Sequence, residues 1–146
     1  MKLNIQRLPH AADLPLPSYA TEGSAGLDLC AAIETDLIIN VGKRALVPTG
    51  FGIQLPQGYE AQIRSRSGLA LKHGVFVLNS PATIDSDYRG ELFVLIMNAG
   101  DEPFVITPGM RFAQMIIAPY TTVSLCEIDV LTETERGLGK FGSTGV

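Results

Sequence analysis

"ELFVLIMNAGDEPFVITPGMRFAQMIIAPY" (Glu91–Tyr120) carries three apolar runs in close succession. They are Glu91–Asn98, Pro103–Thr107 and Arg111–Tyr120, each rich in Val, Ile, Leu, Phe or Met, with breaks near Gly100 and Gly109. Short runs of branched and aromatic residues cut by Gly, Pro, Asn and Asp read as strands joined by turns, because those turn residues reverse the chain cheaply. Working outward, the same rhythm recurs in "DLIIN" (Asp36–Asn40), "RALVPTGFGIQL" (Arg44–Leu55), "YEAQIR" (Tyr59–Arg64), "VFVLN" (Val75–Asn79) and "VSLCEIDVL" (Val123–Leu131). Further glycine breaks fall at Gly42, Gly50, Gly58, Gly74 and Gly90. Many short strands at regular spacing predict an all-β sandwich or barrel. No long segment shows a helical apolar stripe, and no internal repeat is present.

One stretch reads as helical. In "SRSGLALKHG" (Ser65–Gly74), Ser67 suits an N-cap, Leu69, Ala70 and Leu71 favour helix, and Lys72 and His73 place cations in the last turn. Gly74 then stands where a helix-ending glycine belongs.

The 146 residues suit one domain, long enough to bury a core without staples. Net charge is −4, which argues against a general nucleic-acid binder but leaves room for a local cationic cluster and a small anion. Cys30 and Cys126 lie far apart and in no C-x-x-C spacing, so reduced structural thiols are expected. The N-terminal stretch has no apolar core or cleavage signature, and no run approaches the ~18 apolar residues of a membrane span. A cytoplasmic protein is the expectation.

Five constellations could carry chemistry. Arg64, Ser65, Arg66, Ser67 and Gly68 bring cations, hydroxyls and a close backbone to the start of the short helix, a combination suited to a phosphate or carboxylate. "TERGLGKFGSTGV" (Thr134–Val146) is glycine-rich but no Walker A loop, since Lys140 lies inside it and no helix follows. It reads as a flexible arm on which Phe141 can cover a flat ring while backbone N–H groups meet phosphates. In "TIDSDYRGEL" (Thr83–Leu92), an extended chain would put Asp85 and Asp87 on one face, with Arg89 beside them to pair with Asp87. Read alone, this is an acidic turn before a strand; read as chemistry, it offers a carboxylate base and an aromatic to stack on a sugar or base. Asp28 sits between Leu27 and Leu29 and is either an outward strand aspartate or a metal-facing carboxylate. Gln114, inside an apolar run, either binds a neighbouring loop or donates to a ligand oxygen.

Five segments in this order resemble the motifs of the homotrimeric dUTP diphosphatase (dUTPase) family: "AGLDLCAA" (Ala25–Ala32), "RSRSGLALKHG" (Arg64–Gly74), "NSPATIDSDYRGEL" (Asn79–Leu92), "RFAQMIIAPY" (Arg111–Tyr120) and "RGLGKFGSTG" (Arg136–Gly145). The resemblance covers nearly the whole chain. It implies a jelly-roll-like β fold, with residues from about 134 to 146 forming an arm that closes over the site. It also implies Mg²⁺-assisted hydrolysis of dUTP to dUMP and pyrophosphate, which keeps dUTP out of DNA and supplies dUMP for thymidylate synthesis. Asp85 matches the general base that activates the attacking water, and Tyr88 the ring that leaves no room for a 2′-hydroxyl. Asn79 and the backbone of Thr83 and Ile84 match the uracil-binding hairpin. Arg66, Ser67, Gly68 and Gln114 match phosphate contacts, Asp28 the carboxylate that reaches Mg²⁺ through water, and Arg136, Phe141, Gly142, Ser143 and Thr144 the closing arm. A trimer whose subunits share each active site is implied as well, with no membrane or direct nucleic-acid partner.

Three positions depart from the usual pattern. Ser65 replaces a usual Pro, which would loosen the start of the helix. Ala82 replaces a hairpin Gly, at a cost of about 1–2 kcal/mol if its φ is positive. Lys140 replaces a Gly before Phe141 and adds a cation near the polyphosphate. Two rival readings are a dCTP deaminase of the same fold and a nucleotide-sensing trimer without turnover; the intact Asp85 segment and arm motif speak against both.

Overall fold

The computed structural model describes residues 1–140. Eleven strands run in chain order: β1 (Asn4–Arg7), β2 (Ser18–Tyr19), β3 (Leu27–Cys30), β4 (Leu37–Ile39), β5 (Arg44–Gln54), β6 (Tyr59–Ser65), β7 (Val75–Val77), β8 (Ala82–Ile84), β9 (Glu91–Asn98), β10 (Phe104–Ile106) and β11 (Arg111–Pro119). A short α1 (Ser67–His73) and a 3-10 turn at Pro9–Ala11 complete the regular elements. The all-β expectation holds.

All pairings are antiparallel and build three sheets: β1-β5-β9-β7, β2-β3-β11-β6-β8 and the small pair β10-β4. Period two decides which side chains meet. Along β9, Leu92, Val94 and Ile96 are buried while Phe93 between them is exposed. The run "LFVLIM" is therefore a half-buried strand rather than one buried on both faces. In β11 a register shift between Arg111 and Ala113 turns both Phe112 and Ala113 inward. The core they join contains Leu29, Val47, Ile63, Ile106 and Met115. Asn98 is buried among them, but its amide donates to Ile39 O and Glu102 O, both at 2.8 Å, so its desolvation is offset.

α1 matches the expected helix with its start shifted by one residue. Arg66, in extended conformation, occupies the N-cap and makes no side-chain cap bond, so Ser67 opens the helix rather than capping it. Gly74, at φ 64°, ends the helix in the left-handed region, its N–H reaching Ala70 O and Leu69 O. Ser65, the departure expected to loosen this junction, is itself hydrogen-bonded. Its hydroxyl accepts the Val77 N–H at 3.0 Å and ties β6 to β7. Ala82 lies in β8, and no non-glycine residue among those described has a positive φ, so the expected strain is absent.

Val123–Leu131 is a second correction, because it forms no strand. Val123, Leu125, Val130 and Leu131 are exposed. An apolar strand pattern is stable only with a partner edge, and the described residues offer this segment none.

Gly50 marks the break in the β5–β9 ladder between Pro48 and Gly52. Its φ is 74°, and a Cβ there would stand 2.1 Å from the Ala11 Cβ and 3.0 Å from the Ala32 Cβ. Left-handed strain and overpacking together cost roughly 2–5 kcal/mol. Gly50→Ala is therefore expected to lower the melting temperature by about 10 °C. A calorimetric shift smaller than about 2 °C would show that the Pro9–Ala11 turn gives way freely.

Candidate active site

Two separate clefts hold part of the residues marked by the sequence, while Asn79, Thr83, Ile84 and Tyr88 line neither. The first, of about 590 Å³, lies between α1, β3 and β11 and is lined by Asp28, Arg66, Ser67, Gly68, Arg111 and Gln114, with Gly26 and Lys72 among their neighbours. Three motifs far apart in sequence thus converge. Antiparallel pairing brings them together, since β11 lies between β3 and β6, Gln114 stands opposite Asp28 on one side and Arg64 on the other, and α1 follows β6 directly.

Asp28 is held by two guanidiniums. Arg66 Nε lies 3.3 Å from Asp28 Oδ1, and Arg111 Nη1 lies 3.0 Å from Asp28 Oδ2. Arg66 Nη1 also donates to Arg111 O at 2.8 Å. Three cations, Arg66, Lys72 and Arg111, thus face one carboxylate in the cleft. The local balance is positive although the chain as a whole is acidic, which is the condition for drawing in a polyphosphate. Gln114 donates its amide to Ser65 O at 2.8 Å. Its Oε1 faces Gly26 so closely that a Cβ on that glycine would sit 2.3 Å away. Gln114 therefore finds its partner on the last residue of the neighbouring strand β6 rather than in a loop, while also lining the cleft.

Arg64 does not belong to the cradle in which the sequence placed it. Its guanidinium turns to Gln62, with Nε 3.1 Å from Oε1. Arg64 stands opposite Gln114 and shares its face of the sheet, so this bond to Gln62, not strand alternation, keeps it off the cleft lining. Arg111, passed over in the sequence, supplies a cation instead. Only the β3–β11–β6 order reveals it, through its place at the end of β11 beside Asp28.

Cys30, opposite Arg111 in the ladder, has its thiol pushed above its ordinary value, mainly by burial and further by the Asp28 charge; Arg111 and Arg66 oppose the rise. It is therefore protonated at neutral pH and a poor nucleophile. Cys126 is exposed, and both cysteines are free.

The second cleft, of about 600 Å³, is lined by Gln57, Asp85, Ser86, Asp87, Arg89 and Tyr120. Here the extended reading of the segment fails. Ile84 ends β8, and the Tyr88 N–H reaches Asp85 O at 3.2 Å, so Asp85–Tyr88 is a turn. Asp87 and Arg89 do not pair, because the Arg89 guanidinium is drawn inward to Ser86 O and Tyr88 O, both at 2.8 Å. Asp85 is exposed and, among the described residues, makes no ion pair. Asn79 is exposed in the loop joining β7 and β8. Thr83 and Ile84 lie on β8, the last strand of its sheet, whose outer backbone edge is unpaired among the described residues.

The two clefts share no lining residue. Ile84 pairs with Ala61 near the start of β6, while Arg66 follows its end. Asp85 and Arg66 are therefore separated by about 20 Å along β6. Arg136 is exposed in a turn and lines neither cleft, and Lys140 is exposed; Phe141, Gly142, Ser143 and Thr144 lie outside the described residues. No group of three His, Cys, Asp or Glu side chains able to hold a metal exists among the described residues. None of the described helices is long and apolar enough to cross a membrane.

Comparison with known proteins gives a consistent result. The dUTPase family model matches residues 12–145. The deoxyuridine 5′-triphosphate nucleotidohydrolase of Rhizobium rhizogenes (strain K84) is 60% identical over 146 residues, covering 99% of this chain and 94% of its own length. Its counterpart from Rhizobium etli (strain CIAT 652) is 57% identical with the same coverage. Among solved structures, the dUTPase of Staphylococcus bacteriophage 80alpha with dUPNHPP superposes with a TM-score of 0.85 at 24% identity, covering 99% of each chain. A variant dUTPase from phage phi11 of S. aureus, which coordinates a structural Mg(II) ion, superposes with a TM-score of 0.79 at 21% identity, covering 91% of this chain and 100% of that one. At such identities these two superpositions speak for the fold, which is that of the jelly-roll-like dUTPases. With the family model spanning residues 12–145 and relatives near 60% identity along almost their full length, the chain belongs to the dUTPase family.

Proposed function

We propose that this chain hydrolyses dUTP to dUMP and pyrophosphate. The observation that carries this reading is the convergence of Asp28, Arg66, Ser67, Gly68 and Gln114 on one cationic cleft. Polyphosphate binding needs fixed positive charge and donors at close quarters, and this cleft offers both. Asp85 acts as the base toward the water that attacks the α-phosphorus. Its exposed carboxylate has no ion-pair partner among the described residues to compete for the proton. Asn79 and the open edge of β8 at Thr83 and Ile84 read the uracil, and Tyr88 packs on the deoxyribose. Arg136, Phe141, Gly142, Ser143 and Thr144 close over base and phosphates and exclude water.

Asp28 alone cannot chelate a bare divalent ion, since both its oxygens lie against guanidiniums and Mg²⁺ seeks about six oxygen ligands. The residues fit an ion that arrives hydrated on the triphosphate, with Asp28 accepting a hydrogen bond from one of its waters. Mg²⁺ so bound would offset phosphate charge as it shifts in the transition state. Arg66 and Arg111 work in the same sense.

The separation of the two clefts supports a shared site. A base about 20 Å from the cationic cleft of its own chain serves the polyphosphate held by a second copy. Three copies arranged around an axis would each lend Asp85 to a neighbour. Cytoplasmic placement follows from the same reading, since dUTP must be met where DNA is made.

Purified protein with Mg²⁺ is expected to release pyrophosphate from dUTP and no ammonia from dCTP. Ammonia release from dCTP would move the chain to the deaminase class, and no turnover of either nucleotide would leave it a sensor.

A further inference from the structure

We propose that Glu91 is a positioning residue that fixes the Tyr88 ring and thereby sets discrimination between 2′-deoxy and 2′-hydroxy nucleotides. This rests on the reading of Tyr88 as the sugar gate.

The ring is folded back on its own hairpin. Tyr88 Oη donates to Glu91 O at 2.9 Å. The ring lies against Gly90, where a Cβ would stand 2.4 Å from Oη and 2.6 Å from Cζ. The position of the ring is thus set by the main chain of Gly90 and Glu91, and the question becomes what holds that main chain.

The Glu91 side chain does so from the far side. Its Oε1 accepts the Gly50 N–H at 2.7 Å and lies 2.9 Å from His10 Nε2, which donates to it. Gly50 occupies the register break of the β5–β9 ladder, where a backbone N–H loses its ladder partner. The carboxylate fills that vacancy with a charge-assisted bond, stronger than a neutral one. Nearby, Thr49 Oγ1 donates to Leu92 O at 2.8 Å, so a second residue within the break is tied to β9 as well. Glu91 is largely buried while His10, on the Pro9–Ala11 turn, is partly exposed. One residue therefore joins the N-terminal turn, the β5 irregularity and the tyrosine.

Excluding a single hydroxyl is a steric task, and a ring that swings by a fraction of its width admits the extra oxygen. A gate is only as selective as its anchor is stiff. Loss of the anchor should raise activity on UTP more than it lowers activity on dUTP.

The test is the ratio of kcat/KM for dUTP to that for UTP in four variants, with melting temperature measured alongside. Tyr88→Ala should lower the ratio by about a hundredfold and Glu91→Ala by about tenfold. Glu91→Gln should hold the ratio within about twofold, because an amide oxygen still accepts the Gly50 N–H. Gly90→Ala, which pushes the ring outward, should lower it as Glu91→Ala does. A folded Glu91→Ala protein with the wild-type ratio, beside a Tyr88→Ala protein that has lost it, overturns the anchor. An unchanged ratio in Tyr88→Ala overturns the gate itself and the anchor with it. Should Glu91→Ala fail to fold, a fifth variant, Glu91→Asp, which draws the carboxylate back from the Gly50 N–H by one methylene, decides: an unchanged ratio there refutes the proposal, and a lowered one supports it.

Discussion

Asp85→Asn is expected to lower kcat for dUTP by roughly 10²–10⁴-fold while KM changes only a few-fold. The amide keeps the shape of the side chain and its place after β8 but cannot take a proton from water. No guanidinium substitutes for it, because arginine stays protonated and cannot accept a proton from water. The remaining rate should reflect binding, cation electrostatics and orientation, which the substitution leaves intact. Pyrophosphate release at saturating dUTP measures the loss. Turnover undiminished in the variant would remove Asp85 from the chemistry.

Mixing two inactive proteins should restore activity, which is the second large effect. Arg66→Ala removes a guanidinium from the cationic cleft, and Asp85→Asn removes the base from the other. If each site takes its base from one copy and its cleft from another, a mixed assembly contains some sites with neither defect. Each mixed trimer, whichever protein supplies two of its copies, holds one intact site in three, so the mixed species should reach about a third of the wild-type rate, against a loss of at least about a hundredfold in either protein alone. Co-expression with two affinity tags, followed by purification over both, yields the mixed species. Activity no higher than that of the parents would show that one chain completes its own site.

The two outcomes bear on what the sequence could and could not display. Strand existence was legible because short apolar runs are cut by turn residues at regular spacing; which face is buried was not, since exposed Phe93 stands among buried Leu92, Val94 and Ile96 in an unbroken apolar run. The short helix was legible for a similar local reason, with Gly74 where its left-handed φ is needed. Pairing is not local. Arg111 was hidden because strand order decides which cations share a cleft, and no spacing along the chain contains that order, while Arg64 stays out of the cleft because its guanidinium turns to Gln62. The same holds for Arg89, which an extended segment pairs with Asp87 but a turn gives to backbone carbonyls. Val123–Leu131 failed differently. Its pattern suits a strand, but a pattern supplies no partner, and the described residues hold none.

The strand lengths have a consequence for solubility. Both large sheets keep their long strands inside: β5, β9, β6 and β11 span 11, 8, 7 and 9 residues. Their outermost strands β1, β7, β2 and β8 span only 4, 3, 2 and 3. An outer strand exposes unpaired N–H and C=O groups that can template another chain, and long, flat edges do so most readily. On the proposed reading, three residues at β8 give a planar base enough backbone to read, yet they offer a foreign strand too few hydrogen bonds to grow a fibril. A loop graft that lengthened β8 would extend the recognition edge and create an aggregation-prone one in the same step.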